Sequence, residues 1–192
     1  MDERKVFSRF NQRLETRNLL AMTTAVLMTY YPPRRQLTVC YAGHPRGWLY
    51  RQATNRWELL ELPTPPPTSS PAFIDIPLGL SLPAVFNRHR FTVAPGDRIL
   101  LITDGVLETV SPADQPFDSH GIEALLTAPS TRGDDLVSHL IDALHAHADV
   151  PELRHDDVTV FVGEIIPGPP GPALWHVFKN RVLNKRIPHA SD

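Results

Sequence analysis

Short runs of β-branched, aromatic and aliphatic residues recur between residues 22 and 103, and many of them are separated only by tight turns. Residues 22–31 (MTTAVLMTYY) and 37–42 (LTVCYA) both read as strands, and the Pro32-Pro33-Arg34-Arg35 turn stands between them. Residues 48–51 and 56–62 form a second such pair around Ala53-Thr54-Asn55. Parallel neighbours need a crossover of about a dozen residues or more. Links this short make antiparallel hairpins instead. The chain is therefore expected to be α+β, an antiparallel sheet with helices on its outer side, and not a doubly wound parallel fold.

The remaining elements fit that frame. Residues 3–20 have the helical spacing, with Val6, Phe10 and Leu14 on one stripe and Phe7 beside it. Residues 87–93 alternate polar and apolar, Pro95-Gly96-Asp97 is a tight turn, and 98–103 is an apolar run expected to be buried on both faces. Helices are expected around 119–128 and 133–148, then a strand over 157–166. Proline clusters at 63–71 and 167–172 mark loops, because proline cannot donate to a ladder. The expected organisation is a domain over 1–166, a Pro/Gly linker at 167–172 and a basic amphipathic tail over 173–192. The tail includes a helix at 173–186 that could touch an anionic membrane surface or dock on its own domain.

Composition narrows the function. The chain has 192 residues, 42% of them hydrophobic, enough for a core. Its 19 Lys+Arg balance 21 Asp+Glu, so it lacks the basic excess of a nucleic-acid binder. The one cysteine, Cys40, sits in an apolar run and reads as a small core residue rather than a nucleophile. No signal peptide or membrane span is apparent, and a cytoplasmic location is the expectation.

Three places could carry chemistry. Thr103-Asp104-Gly105 puts a carboxylate straight after a greasy strand, which is costly unless something stabilises the charge. A hard cation would do so. A carboxylate that merely caps the following turn fits the tripeptide equally, with Gly105 letting the backbone turn. Asp156-Asp157 precedes the strand at 158–162, and two adjacent carboxylates repel unless a cation or solvent screens them. Oxygen ligands of this kind suit Mg²⁺ or Mn²⁺. A solvated acidic loop is the plainer alternative. Gly43-His44 lies in a turn at a strand end, where His44 is either a structural residue or an acid, base or ligand.

The motifs are more specific together than singly. In order they are Thr23-Thr24-Ala25, Tyr41-Ala42-Gly43-His44-Pro45, Pro77-Leu78-Gly79-Leu80, Pro95-Gly96-Asp97, Thr103-Asp104-Gly105 with Glu108, and Asp156-Asp157-Val158-Thr159. This series resembles the stage II sporulation protein E-like branch of the metal-dependent (PPM, type 2C-like) protein phosphatases, over roughly residues 6–166. The resemblance implies an α/β/β/α sandwich and a two-metal site holding Mn²⁺ or Mg²⁺. Asp104 and Asp156 would be catalytic metal ligands, with Asp157 as an accessory ligand and Gly43, His44 and Gly105 supporting the turns. It also implies hydrolysis of phosphoserine or phosphothreonine on a regulatory protein, such as an anti-sigma-factor antagonist in a bacterial signalling pathway.

The family's first acidic motifs lie before the helix that opens this sequence, and nothing between Met1 and Phe10 resembles them. Asp2 and Asp75 do not look able to substitute. The expectation is thus the C-terminal portion of a phosphatase domain, N-terminally incomplete, with half of the metal's ligands outside the sequence. The alternative is a non-catalytic, phosphatase-like binding module. The sequence points to no substrate-binding residues.

Overall fold

The computed structural model describes residues 2–16, 22–60, 73–80, 82–128, 135–149, 157–167 and 179–184. They fall into two compact units. Among these residues, those up to Arg46 and from Leu60 to Ala94 form the first, and those from Gly47 to Leu59, from Pro95 to Pro167 and from Lys179 to Asn184 form the second.

The first unit opens with helix α1 (Glu3–Thr16), followed by strands β1 (Ala25–Tyr31), β2 (Gln36–Ala42) and β7 (Arg88–Thr92) in an antiparallel sheet of order β1-β2-β7. The β1–β2 hairpin runs in register from Ala25 opposite Ala42 to Tyr31 opposite Gln36. Pro32 and Pro33 cannot continue the ladder, so the chain turns through a single 3-10 turn at Pro32–Arg34 and closes on Arg35 at φ 48°. A short parallel pair, β5 (Phe73–Ile74) and β6 (Ala84–Val85), lies in the same unit. The core here gathers Phe7, Cys40, Ala42, Leu78 and Phe86.

The face that α1 buries differs from the expected stripe. Glu3, Phe7 and Asn11 are buried, whereas Phe10 is 55% exposed. Polar contacts decide the rotation. Thr29 donates its hydroxyl to Glu3 at 2.6 Å, and the Asn11 Oδ1 accepts the Gly79 N–H at 2.8 Å. Phe7 sits between them and meets Phe86 edge-on at 5.5 Å. An apolar count cannot weigh buried polar groups that hold such partners.

The second unit is built on a five-stranded sheet of order β10-β9-β8-β3-β4, with β3 at Trp48–Arg51, β4 at Arg56–Leu59, β8 at Arg98–Ile102, β9 at Thr159–Glu164 and β10 at Lys179–Asn184. Every pairing is antiparallel, and for β3–β4 the short turn between the strands required it. Ile99 to Ile102 are all buried, the outcome expected of a run apolar on both faces. Helices α3 (Asp118–Thr127) and α4 (Leu136–Ala148) bring Ile122, Leu126, Leu136, Val137, Leu140 and Leu144 into one core with Trp48, Leu100, Ile102 and Val160. Each such aliphatic side chain contributes about 1.5–3 kcal/mol on burial. Between β8 and α3 lies the one-turn helix α2 (Asp104–Leu107), which the sequence did not suggest.

The helix expected over 173–186 is corrected where it is described. Residues 179–184 form β10, antiparallel to β9, with Val182 opposite Phe161. A lone short helix is marginal in water, whereas the outer edge of β9 offers a ready ladder. The rest of that segment, and residues 168–172 of the linker, lie outside the described residues. No described helix is long and apolar enough to cross a membrane.

Candidate functional site

The sequence motifs assemble into two groups, one in each unit. In the second unit, β8 and β9 run antiparallel with Ile102 opposite Val160, and the pairing continues one step as the Thr103 N–H donates to the Thr159 carbonyl at 3.1 Å. Asp104 therefore leaves the sheet beside the point where Asp157 enters it. Asp104 is the first residue of α2, half-buried, and its Oδ1 accepts the Gly105 N–H at 3.1 Å. A carboxylate at a helix start is favourably placed toward the orphan N–H groups there.

Gly105 is buried in an ordinary helical conformation and is not among the glycines at positive φ, so the turn at Asp104 is made without a left-handed residue. Its carbonyl accepts the hydroxyl of the buried Thr109 at 2.8 Å. Asp157 is exposed, and its backbone carbonyl accepts the Thr103 hydroxyl at 3.1 Å. The same hydroxyl accepts the Thr159 N–H at 2.9 Å. The Thr103-Asp104-Gly105 motif gives Thr103 no role of its own. A β-branched residue with a hydroxyl between an apolar strand and an Asp-Gly start was the available signal. Asp156 lies outside the described residues.

The Pro95-Gly96-Asp97 turn is a structural joint in the same unit. Gly96 sits at φ +87°, and an added Cβ would come within 2.9 Å of the Gln52 side chain. The Gly96 N–H donates to the Ile165 carbonyl, and the Asp97 carbonyl accepts the Ile165 N–H. The Asp97 carboxylate is buried and ties down the β3–β4 turn through Gln52 and Arg51.

In the first unit the motifs around residues 23–25, 41–45 and 77–80 converge. Thr23 and Leu78 exchange both backbone hydrogen bonds, and Ala25 bridges to Gly43. Gly43 adopts φ +70°, donates its N–H to the Asp75 carbonyl at 2.6 Å, and lies so close that an added Cβ would be 2.5 Å from Pro77. The Nδ1 of His44 stands 2.8 Å from the Pro45 carbonyl. A carbonyl can only accept, so this contact places the proton on Nδ1.

Asp75 and His89 also meet here, with Oδ2 3.9 Å from Nε2. Burial pushes the Asp75 carboxyl up, against the Asn87 N–H that it accepts at 2.7 Å. Burial, aided by the Arg46 charge, pushes the His89 imidazole down. The other early acid, Asp2, is engaged by Arg4 at 2.9 Å.

The donors beside β8 and β9 are hard carboxylate oxygens, the chemistry that Mg²⁺ and Mn²⁺ prefer. Among the described residues, no group of three or more His, Cys, Asp or Glu side chains converges on one point. Asp104 and Asp157 thus suit a cation in kind and fall short in number.

Comparison with known proteins bears on this arrangement. The sequence profile of the stage II sporulation protein E (SpoIIE) family matches residues 1–165. A comparison with curated proteins returned no match. Among solved structures, the phosphatase domain of the cell fate determinant SpoIIE from Bacillus subtilis, presoaked with Mn, aligns at TM-score 0.62 and 14% identity, covering 88% of this chain and 68% of that one. The SiaA-PP2C domain of Pseudomonas aeruginosa aligns at TM-score 0.59 and 16% identity, over 83% of this chain and 59% of its own. The catalytic domain of the serine/threonine protein phosphatase PstP, in complex with two manganese ions, aligns at TM-score 0.50 and 20% identity, over 85% and 68%. The mixed helices and antiparallel sheets match these folds, and the chain spans about two thirds or less of each of the three.

Proposed function

The chain belongs to the stage II sporulation protein E family, with the fold of PP2C-type phosphatases, and on that premise we propose that it serves a metal-dependent serine/threonine phosphatase. The observation that carries the proposal is the placing of Asp104 and Asp157 at neighbouring ends of β8 and β9. Asp104, Asp156 and Asp157 are assigned to hold Mn²⁺ or Mg²⁺, together with carboxylates beyond these three.

Bound there, the ions would supply a water acidified for attack on phosphorus. The chain's own part is positional. The ladder between β8 and β9 fixes the two acidic segments. The Gly105 N–H holds one oxygen of Asp104 and so orients the other. The Gly43 turn holds His44, which is assigned as a supporting residue. The net change is hydrolysis: the phosphate ester oxygen leaves as a serine or threonine hydroxyl, and water's oxygen stays on the phosphate. The proposed substrate is a cytoplasmic phosphoprotein of a signalling pathway, an anti-sigma-factor antagonist being the class the family resemblance suggests. The 1–166 boundary of the domain is part of the same proposal.

The second reading is a phosphatase-like binding module, and one observation favours it: fewer than three donors converge among the described residues. The deciding assay is release of phosphate from a phosphoserine peptide with Mn²⁺ and with EDTA. It would be run on this chain and on the longest protein its gene encodes. Mn²⁺-dependent release supports the phosphatase. No release from either form, with both folded, supports the binding module.

A further inference from the structure

Thr103 occupies the N-cap position of α2, and threonine is a favoured cap. Its side chain nevertheless makes no capping bond. The hydroxyl points across the sheet instead, donating to the Asp157 carbonyl at 3.1 Å and accepting the Thr159 N–H at 2.9 Å. With the backbone bond from Thr103 to Thr159, three hydrogen bonds tie this residue to the segment that carries Asp157. Asp104 is covalently next to the clamp on one side, and Asp157 is held by its own carbonyl on the other. The regular ladder of β8 and β9 ends at Ile102 and Val160, and the two hydroxyl bonds lie just beyond that end.

We infer that Thr103 is a positioning residue whose hydroxyl fixes the separation of Asp104 and Asp157. The inference rests on the phosphatase reading for its purpose, though not for its geometry. Valine keeps the branched shape and loses both hydroxyl bonds, and serine keeps the hydroxyl. Thr103 is not one of the assigned metal ligands, so the expected signature is altered placement of the acids and weaker cation binding.

The test is amide NMR on the full chain, without metal and then through a Mn²⁺ titration. In the wild type, the Thr103 hydroxyl proton should be protected from exchange with water. In Thr103→Val, the Thr159 amide should exchange about five- to tenfold faster, as expected on losing one acceptor. The Gly105 and Asp157 amide signals should shift. The Mn²⁺ concentration that broadens the Asp104, Gly105 and Asp157 signals should rise about tenfold, the usual effect of losing a group that orients a metal ligand. Thr103→Ser should restore all three. Unchanged Thr159 exchange in the valine variant overturns the clamp. So does an unprotected Thr103 hydroxyl in the wild type, a result that needs no variant to fold. An unchanged Mn²⁺ titration beside faster exchange overturns the positioning role. Failure of Mn²⁺ to broaden any wild-type signal counts against the phosphatase reading, and the metal-free exchange still decides the clamp.

Discussion

The buried carboxylate of Asp97 accepts the backbone N–H of Gln52 at 3.0 Å, joining two turns 45 residues apart in sequence. Arg51 adds an ion pair to the same carboxylate at 3.3 Å. Asp97 is thus an internal brace for the second unit and no part of the proposed metal set.

Asp97→Ala should strand the Gln52 N–H and take one of Arg51's partners away, costing about 2–3 kcal/mol of stability. Asp97→Asn keeps an acceptor for Gln52 and should cost less. Urea unfolding of both variants checks the order. Equal losses would show that the charge matters and the acceptor does not.

Gly43 joins three motifs at a backbone conformation that L side chains rarely adopt, with the Pro77 ring 2.5 Å from where a Cβ would stand. Gly43→Ala carries both a left-handed φ and a clash with the Pro77 ring and Cα. A loss of about 2–4 kcal/mol is expected. Pro77→Ala in the same chain should recover only part of it, because the Cα of Pro77 stays in place. Thermal unfolding of the single and double variants gives the comparison.

Burial, with the charges of Asp75 and Glu3, pushes the Cys40 thiol from 9.0 up to about 12. The folded state therefore holds this proton more tightly than the unfolded chain. The stability it confers is complete below pH 9 and is lost as pH rises from 9 toward 12. Cys40→Ala should flatten that part of the stability profile. Folded protein at pH 8 should not react with a thiol reagent, and urea should release one reactive thiol.

His89 works in the opposite direction. Its folded-state pKa lies below the ordinary 6.5, because burial and Arg46 disfavour the charged ring. Its contribution is fully present above pH 6.5 and declines as the pH falls below that value. The groups facing it are Asp75 and Arg46, and Asp75 is itself pushed up by burial. His89→Gln should therefore lose less stability than the parent between pH 6.5 and 5, measured by urea unfolding at each pH.

Much of the fold was legible because turn length alone forbids parallel neighbours, as the Pro32–Arg34 and Ala53-Thr54-Asn55 turns illustrate. The doubly buried β8 was legible because Ile99 to Ile102 leave no polar face. Helix α2 was not, since four residues carry no helical period. The buried face of α1 was misread because Glu3 and Asn11 are held by Thr29 and Gly79, partners that no local pattern reveals. The tail looked helical by spacing, and the open edge of β9 made residues 179–184 a strand. Among the candidate acids, the choice of Asp104 and Asp157 followed from the Thr-Asp-Gly and Asp-Asp motifs. The Thr103 hydroxyl bond did not, because its acceptor lies 54 residues away.

The most direct test of the central claim is Asp104→Asn, assayed for Mn²⁺-dependent hydrolysis of an aryl phosphate in the longest active form of the protein. Asparagine keeps the size and the bond to Gly105 and removes the charge. The account predicts a fall of about a hundredfold or more in kcat/KM, with unfolding by urea little changed. Full activity in Asp104→Asn would contradict it.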